Sequence, residues 1–534
     1  MRVLEMLAAE LVGSGLDTVF GVVGEGNVEL TTHLHRSPGV RYVAARREDG
    51  AVAMADGYAR ASGRLGAATV THGPGLTNTV TPLTEAVRAR TPMLLVAGAV
   101  GLTDRTNRQR LDQARIGAAA GAGVVDLTNP AHAVADLRRE QAEAEPADRP
   151  WQPPTLPRPA PDPYQLASAA QALAAAQRPV ILAGRGAVTA AAREELERLA
   201  DRVGALVCTT LFANGFFAGN PYDLGVCGGF ATGLAERLIG DADCVVAFGA
   251  SLNRWTTANG RLLRGTVIHC DHDPAAIGWW LSPDHALVAD AATGAAALAD
   301  AVTDPATGPA TGPVTGYRGP GRASEIASYD VADEFQDASG PDGIDVHAAS
   351  VLLDRCLPAD RQIVVDVGHF MSVPSKYVRV RGPGSYLSLS AFGAIGLSLP
   401  AAIGAAAVHP DRLTVCFVGD GGLMMCLSEL DTARRARLPL LVVVMNDDAY
   451  GAEVQLCRHH GIADDLAWFE PVDFAATAAG LGLPARTATT LDELERATGE
   501  LARVAGPALL DVRLDARVVT KYYRDAIAAG GHHG

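Results

Sequence analysis

The chain has 534 residues, which is too long for a single hydrophobic core, and this length predicts about three or four domains, of which we expect three. The 45 basic and 60 acidic residues give a net charge of −15, which argues against binding to nucleic acid or to an anionic membrane surface and favours small-molecule partners. The apolar fraction of 48% with only 5% aromatic residues is typical of alanine-rich helices packed on valine-rich strands in an α/β enzyme.

The cysteines and the N-terminus bear on the cellular compartment. The eight cysteines form no CxxC pair, and several lie in apolar runs such as TVCFVG, which predicts buried, reduced thiols. The run MRVLEMLAAELVGSGL contains acidic residues and no long apolar core, and no later segment reaches the roughly eighteen apolar residues of a membrane span. We therefore expect a cytoplasmic protein without a membrane partner.

The first part of the chain alternates helices and strands. A helical pattern in VLEMLAAELVGSG is followed by the apolar strands TVFGVVG, RYVAA and AATVTHG, with a helix from Asp49 to Ser62 between the second and third. This alternation predicts a doubly wound parallel sheet. The prolines of EAEPADRPWQPPTLPRPAPDPY exclude a regular helix or a central strand, which predicts a linker.

Two further blocks repeat the alternation. The second contains the strands RPVILAGRGA, GALVCTT, DCVVAFGAS and GTVIHCDHD, and the third contains RQIVVDVG, RLTVCFVGDGG, LPLLVVVMNDD and GPALLDVRLD. Closely spaced Gly and Pro between them predict a second linker. The predicted fold class is α/β, with three doubly wound parallel-sheet domains and a Rossmann-like central one. The predicted bounds are 1–140 for the first domain, 141–162 for a linker, 163–305 for the central domain, 306–339 for a linker and 340–534 for the third domain.

Acidic residues follow two neighbouring strands of the third block. Asp420 follows the strand LTVCFVG, and Asp447 follows the strand LLVVVM, with one helix between them. Because right-handed crossovers place the carboxyl ends of parallel strands at one edge, both aspartates can reach a single ion. Gly421 and Gly422 allow backbone N–H groups to approach an anion, so a magnesium-bridged phosphate or diphosphate is the natural ligand. The alternative is that DGG and NDD are ordinary turns.

This pattern resembles that of the thiamine diphosphate-dependent enzymes, which include acetohydroxyacid synthase, benzoylformate decarboxylase and pyruvate decarboxylase. The resemblance covers nearly the whole chain. It implies a pyrimidine-binding first domain and a diphosphate- and magnesium-binding third domain. The segment RREDGAVAMADGYAR is similar to the one that carries the catalytic glutamate of the family, which makes Glu48 its counterpart and a residue that contacts the cofactor. The alternative is that Glu48 is an ordinary acid at a helix start.

Two more residues of the first domain are implied by the resemblance. THGPGLTNT is similar to the TSGPGATN loop near the cofactor pyrimidine, and His72 replaces the serine of that loop. His72 is either a proton carrier or substrate-carboxylate ligand, or a hydrogen-bonding residue of the loop. RQRLDQA resembles the substrate-side segment that carries a glutamine, which maps to Gln109.

In the third domain, LSAFGAIGLSLPAAIGAA resembles the segment under the thiazolium ring. The resemblance implies that the carbonyl of Gly393 binds the 4′-amino group and that Ile395 is the apolar wedge that bends the cofactor. Ile395 could also be a plain core residue. VVDVGHFM resembles the loop over the diphosphate, which implies Gly368 and His369 as contacts.

The metal site implied by the resemblance contains Mg²⁺ and three ligands: Asp420, Asp447 and the backbone carbonyl of Ala449. The cofactor-binding residues implied around it are Asp420, Gly421, Gly422, Asp447, Ala449, Tyr450 and Gly451. Asp447 stands where many members have asparagine, and its extra charge beside a diphosphate makes cofactor affinity depend on the magnesium ion. Glu453 matches a catalytic acid of the pyruvate decarboxylase group, and the alternative is a solvated glutamate.

The chain departs from the family in one place and leaves one cofactor open. Family members close the first domain with a strand like GPVxLxLPxD, which is missing after Glu140, so we expect a first sheet that is one strand short or completed from elsewhere. The glycines of AGRGAV and FGASLNRWTT lie where some relatives bind FAD and others bind nothing.

The resemblance implies an enzyme that decarboxylates 2-oxo acids with thiamine diphosphate and Mg²⁺. One outcome is carboligation to an acetolactate-type product, which is transferase chemistry. The other is release of an aldehyde by a simple decarboxylase, a lyase. A noncatalytic regulatory or structural relative is the competing class. Because the family site lies between the first domain of one subunit and the third domain of another, a homodimer or homotetramer is implied.

Overall fold

The computed structural model describes residues 3–101, 104, 106–127, 133, 137, 158–302 and 316–528. These residues form three sheets, and all strand pairs within the sheets are parallel. The prediction of three doubly wound α/β domains is therefore confirmed.

The first sheet contains four strands among the described residues: β1 (Thr18–Gly21), β2 (Arg41–Ala44), β3 (Gly66–Val70) and β4 (Met93–Ala97). The helices around it are α1 (Val3–Gly13), α2 (Val28–Arg36), α3 (Glu48–Ser62), α4 (Pro74–Thr77), α5 (Val80–Arg88) and α6 (Gln113–Ala119). The order of strands is β2-β1-β3-β4. The segment 141–157, which follows the expected but missing strand, lies outside the described residues, so the predicted shortening of this sheet stays a prediction.

The central sheet has the order β10-β9-β8-β5-β6-β7. Its strands are β5 (Pro179–Ala183), β6 (Leu206–Thr209), β7 (Asp223–Val226), β8 (Cys244–Phe248), β9 (Thr266–Asp271) and β10 (His285–Val288). Its helices are α7 (Pro163–Ala175), α8 (Arg185–Thr189), α9 (Arg193–Val203), α10 (Gly233–Gly240) and α11 (Ala291–Ala301), with a 3₁₀ turn at Leu211–Ala213. The inner strands β5, β6 and β8 are buried at every position, as expected for a doubly wound domain, while the edge strands β7 and β10 are partly exposed.

The third sheet has the order β12-β11-β13-β14-β16-β15. Its strands are β11 (Arg361–Val365), β12 (Tyr386–Ser388), β13 (Leu413–Gly419), β14 (Leu440–Asn446), β15 (Ala485–Ala488) and β16 (Ala508–Arg513). Helix α12 (Arg322–Ser328) precedes this domain, and the helices of the domain are α13 (Val346–Cys356), α14 (Ser372–Tyr377), α15 (Ser398–Val408), α16 (Asp420–Cys426), α17 (Glu429–Ala436), α18 (Gly451–His460), α19 (Phe474–Gly480), α20 (Leu491–Leu501) and α21 (Lys521–Ala528). Three 3₁₀ turns lie at Val331–Glu334, Pro383–Ser385 and Asp465–Ala467.

The segment predicted as the second linker has more structure than its composition indicated. Residues 306–315 of it lie outside the described residues, but α12 and the turn Val331–Glu334 follow before the third domain begins. The hydroxyl of Tyr329 and the N–H of Gly233 both donate to the carboxylate of Glu334. This part of the linker is therefore packed on the central domain.

Helices α3 and α15 join the first and third domains through close backbone contact. A Cβ on Gly57 would overlap with the carbonyl group of Ala401, and a Cβ on Gly404 would overlap with the carbonyl group of Met54. One hydrophobic cluster runs from Phe20 in the first domain to Phe474 in the third. The two domains therefore share a core, while the central domain has its own.

All eight cysteines are free, and six of them are buried. Among the described residues no helix combines the length and the apolar character needed to cross a membrane.

Candidate active site

The site in the third domain lies at the carboxyl ends of β11 and β13. The chain leaves β11 towards β12 on one side and later adds β13 on the other, so the two strand ends form the switch point of the sheet. Asp366 follows β11 directly, Asp420 follows β13, and Asp447 follows β14. The two aspartates predicted from the sequence therefore lie at the carboxyl ends of two neighbouring parallel strands.

Both aspartates are buried, with only 4% of Asp420 and 7% of Asp447 exposed. Burial, and then the negative charge of Asp447, raises the pKa of Asp420 to about 8. Burial, and then the charge of Asp448, raises the pKa of Asp447 to about 7. His369 Nε2 lies 3.5 Å from Asp447, but burial lowers the pKa of this imidazole to about 4, so it is neutral and balances no charge. Arg513 acts on Asp447 from a distance, but no Lys or Arg among the described residues forms a direct ion pair with Asp420 or Asp447.

The turn after β14 keeps Asp447 facing the site. Asp448 has a left-handed backbone (φ +54°), and its N–H donates to Asn446 Oδ1 at 3.1 Å. The amide of Asn446 donates to Asp511 at 2.9 Å, and Asp448 forms an ion pair with Arg513. Asn446 and Asp448 are thus used within the turn, which leaves the carboxylate of Asp447 for a ligand.

The metal-ligand set contains few side chains. No group of three or more His, Cys, Asp and Glu side chains suited to a metal occurs among the described residues. The oxygen donors expected from the sequence are the carboxylates of Asp420 and Asp447 and the backbone of Ala449, which lies in an isolated bridge with Trp468. Mg²⁺ is commonly held by one or two carboxylates together with phosphate oxygens and water. The donor set fits a magnesium-diphosphate.

The glycines of the site allow close packing. A Cβ on Gly421 would lie 2.5 Å from the ring of Tyr450, and a Cβ on Gly422 would lie 2.6 Å from Asp366 Oδ2. A Cβ on Gly451 would contact His369 at 2.6 Å. Larger residues at these positions would push apart the loops that surround the two carboxylates.

The loop that carries Gly393 and Ile395 is open on one side. Gly393 has φ +84° and is exposed, with no atom within 4 Å of the place where a Cβ would lie. Ile395 is half-buried, which does not fit the alternative of a plain core residue. The N–H of Gly396 donates to Asp366 Oδ2 at 2.8 Å, and the other oxygen of Asp366 is buried without a hydrogen-bond partner.

Asp366 was missed by the sequence analysis. Burial raises its pKa to about 7. It ends the strand RQIVV, so the same rule that pointed to Asp420 could have found it. Gly368 lies in the following loop, where a Cβ would contact Phe370 at 2.7 Å. Glu453 is exposed on α18, and its negative charge acts on His369.

The first domain holds a second group of candidate residues. Glu48 is half-buried at the start of α3, and its Oε2 accepts a hydrogen bond from Asn78 Nδ2 at 3.0 Å. His72 is only 5% exposed, and both of its ring nitrogens are buried without a hydrogen-bond partner. A buried imidazole without partners is a group that a ligand can satisfy.

The two glutamines of RQRLDQA differ in environment. The side chain of Gln109 is exposed, while its backbone contacts Gly73. Gln113 accepts the N–H of Gly73 and donates to the carbonyl of Gly98, both at 2.8 Å. Gln113 therefore fixes the loop after β3, and the sequence analysis overlooked it because the two glutamines stand only four positions apart.

A buried carboxylate of the third domain fixes the segment before Glu48. Glu429 Oε1 accepts the N–H groups of Arg46 at 3.1 Å and Arg47 at 3.0 Å, and its Oε2 accepts the hydroxyl of Thr432 at 2.6 Å. Burial raises the pKa of Glu429. No hydrogen bond or ion pair between described residues joins Glu48 or His72 to the aspartates of the third domain, so one chain presents two groups of site residues.

The central domain does not offer a comparable site. Gly184 N–H donates to the carbonyl of Phe248 at 2.8 Å, and Gly186 N–H donates to the carbonyl of Gly249 at 3.0 Å. A Cβ on Gly184 would overlap with Gly249. These glycines pack the two loops of the central switch point against each other.

Three segments of the chain match three domains of one known protein family. Residues 1–116 match the N-terminal TPP binding domain of thiamine pyrophosphate enzymes, residues 166–298 match their central domain, and residues 366–512 match their C-terminal TPP binding domain. The chain is 31% identical to a probable 2-ketoarginine decarboxylase of Pseudomonas aeruginosa over 95% of its length and 93% of the relative.

Two further relatives have other activities in their names. A sulfoacetaldehyde acetyltransferase of Rhodobacter capsulatus is 29% identical, with 96% of this chain and 94% of the relative covered. The acetolactate synthase isozyme 3 large subunit of Escherichia coli is 28% identical, with 84% and 82% covered. The three matched domains and the full-length similarity show that this chain belongs to the thiamine pyrophosphate (thiamine diphosphate) enzyme family.

Proposed function

We propose that the chain is a thiamine diphosphate- and magnesium-dependent carboligase of the acetolactate synthase type. It would decarboxylate a 2-oxo acid and join the remaining acyl unit to a second carbonyl compound. The observation that carries this proposal is the buried pair Asp420 and Asp447, which lies at and beside the switch point of the third sheet and forms no direct ion pair with a described Lys or Arg. Relatives named acetolactate synthase and sulfoacetaldehyde acetyltransferase support transfer chemistry.

The third domain would hold the diphosphate end of the cofactor. Asp420, Asp447 and the carbonyl of Ala449 would bind Mg²⁺, which offsets their charge. The remaining contacts of this end would come from Gly368, His369, Gly421, Gly422, Tyr450 and Gly451. When bound, thiamine diphosphate supplies a nucleophilic carbon that attacks the 2-oxo group and takes up the electron pair left by carbon dioxide.

The ring end of the cofactor would be held by Gly393, Ile395 and Glu48. The carbonyl of Gly393 is a hydrogen-bond acceptor for an amino group, and Ile395 supplies an apolar surface. Glu48 would hold or release a proton at a pyrimidine nitrogen. Since Glu48 has no contact with the aspartates of its own chain, we infer a site shared by two chains in a cytoplasmic homodimer or homotetramer.

A simple decarboxylase that releases an aldehyde is the second candidate. Its support is His72, a buried imidazole with both nitrogens free to bind or protonate a substrate group, and the relative named a probable 2-ketoarginine decarboxylase. Glu453 would assist as an acid beside His369. The exposed side chain of Gln109 gives no support to a catalytic role in either reaction.

The test is carbon dioxide release from a panel of 2-oxo acids, with thiamine diphosphate and Mg²⁺, followed by product analysis. Wild-type protein should release carbon dioxide, and Glu48→Gln should lower kcat by about 100-fold or more because the proton-transfer group is lost. Asp49→Asn is the matched control, since Asp49 lies in the same helical turn, forms an ion pair with the exposed Arg47 and accepts the N–H of Gly50.

The products separate the candidates. A two-substrate acyloin indicates the carboligase, and an aldehyde indicates the decarboxylase. Wild type that binds the cofactor but turns over no acid of the panel would favour a noncatalytic regulatory relative. Full activity of Glu48→Gln would contradict the role of Glu48.

We also propose that the central domain works without FAD, because its glycines are used in packing. Purified protein should lack the visible absorbance of flavin, and added FAD should remain unbound in equilibrium dialysis. Flavin that copurifies would contradict this.

A further inference from the structure

Glu85 joins the first domain to the loop that carries Gly393. It lies on α5, and its side chain is completely buried (0% exposed). Its Oε1 accepts the N–H of Ala391 at 3.1 Å, and its Oε2 accepts the N–H of Phe392 at 2.5 Å. These two amides stand 306 and 307 positions further along the chain, immediately before Gly393.

The charge on Glu85 is only partly balanced within its own domain. Arg60 Nη2 lies 3.0 Å from Glu85 Oε1, but the same guanidinium also binds the buried Asp56 through Nε at 2.8 Å. Two carboxylates therefore share one cation, and the backbone N–H groups of the loop supply the remaining donors. A buried carboxylate that loses its donors is costly, so the loop is held in place. Arg60 strengthens this hold by donating to the carbonyl of Ser388 at 2.9 Å.

The other end of the loop is fixed by the third domain itself. Asp366 Oδ2 accepts the N–H of Gly396 at 2.8 Å. The three residues between the two anchors, 393–395, are the ones that face open space or are half-buried. A short span is thus held from both sides by buried carboxylates of two different domains.

We propose that Glu85 is a positioning residue for the ring end of the cofactor. It fixes Gly393 and Ile395 relative to the first domain. The conformation of this loop therefore depends on the contact between the first and third domains of the same chain. This inference rests on the proposed function, because the loop has a ligand to position only if thiamine diphosphate binds there. Since Asp420 and Asp447 do not contact Glu85, the diphosphate end of the site is independent of it.

The variant Glu85→Gln tests the proposal. Its amide keeps one acceptor oxygen but turns an NH₂ group towards one of the two backbone N–H groups, which then loses its acceptor. Hydrogen exchange at Ala391 and Phe392 should become at least about tenfold faster. Affinity for thiamine diphosphate with Mg²⁺, measured by calorimetry, should fall about tenfold, while affinity for inorganic pyrophosphate with Mg²⁺ should stay within about twofold.

Two further variants complete the experiment. Glu85→Asp keeps the charge but shortens the side chain, so it should give an intermediate loss of about threefold and remains informative if Glu85→Gln does not fold. Glu429→Gln is the matched control, because it alters a buried carboxylate that crosses the same domain contact elsewhere, and it should leave exchange at Ala391 and Phe392 unchanged.

Three results would overturn the inference. Equal weakening of thiamine diphosphate and pyrophosphate would show that Glu85 acts on the fold as a whole. Unchanged affinity for thiamine diphosphate despite faster exchange would show that the contact positions nothing. Wild type that binds pyrophosphate but not thiamine diphosphate would overturn the proposed function as well, which separates the two failures.

Discussion

The central and third domains use the same kind of switch point in opposite ways. In the central domain the loops after β5 and β8 are hydrogen-bonded to each other through Gly184 and Gly186. In the third domain the corresponding loops carry the buried carboxyl groups of Asp366 and Asp420, whose pKa values burial raises to about 7 and about 8. Glycines at a strand end are common to both domains, so the feature that distinguishes a ligand site is a pair of buried carboxyl groups rather than the glycines.

The largest effect on cofactor binding is expected when one of the two carboxyl ligands is removed. Asp420→Ala should weaken magnesium-dependent binding of thiamine diphosphate by at least about 100-fold, since one of two side-chain ligands is lost. Calorimetric titration with the cofactor and Mg²⁺ measures this. If Asp420→Ala binds the cofactor as tightly as wild type, the ligand site is elsewhere.

A larger residue in place of a packed glycine of the central domain should affect stability and not cofactor binding. In Gly184→Ala the new Cβ overlaps with Gly249, so the free energy of unfolding in urea should fall by about 2 kcal/mol while cofactor affinity is unchanged. Gly240→Ala is the control, because its nearest neighbour would be Leu262 at 3.8 Å, an ordinary contact. A loss of cofactor affinity in Gly184→Ala would mean that the central loops also contribute to the site.

Magnesium binding by the two buried aspartates of the third domain should depend on pH. The pKa values of Asp420 and Asp447 are raised to about 8 and about 7, above the 3.8 of an ordinary aspartate. The stability that these two groups give the metal-free protein is therefore fully present below about pH 4 and is lost as the pH rises to about 8. Because Mg²⁺ displaces the retained protons, its affinity should rise with pH over the same range, by up to about tenfold per pH unit for each proton displaced.

Magnesium titrations at several pH values in the presence of pyrophosphate measure this effect. The thermal stabilisation by Mg²⁺ and the cofactor should widen in parallel as the pH rises. A magnesium affinity that does not change between about pH 6 and pH 8 would contradict the raised pKa values.

The smallest effect is expected from Asp447→Asn. Asparagine keeps an oxygen ligand and removes one negative charge, so thiamine diphosphate should bind within about threefold of the wild-type affinity, and the metal-free protein should become more stable. Calorimetry and thermal unfolding measure the two quantities. Loss of binding as large as in Asp420→Ala would show that the charge of Asp447, and not only its oxygen, is required.

The sequence predicted those parts of the site that follow from local periodicity. Asp420 and Asp447 lie after neighbouring parallel strands, as expected, because strand patterns and right-handed crossovers determine which ends share an edge. Glu85 and Glu429 could not be found in this way, since each acts on a backbone more than 300 positions away. Gln113 was missed because a motif in a loop does not determine which of two nearby glutamines turns inward. The packing role of Gly184 depends on Gly249, whose approach the local pattern does not encode.

The contact between α3 and α15 has a consequence for how the three domains can be exchanged. Gly57 and Gly404 place each helix directly on the backbone of the other, so no side chain separates the two helices at these two points. A recombinant chain with the first domain of a relative would need the third domain of that relative too. The central domain has cores of its own, but Val226 and Phe230 belong to the core of the third domain, so its replacement would need matching residues there.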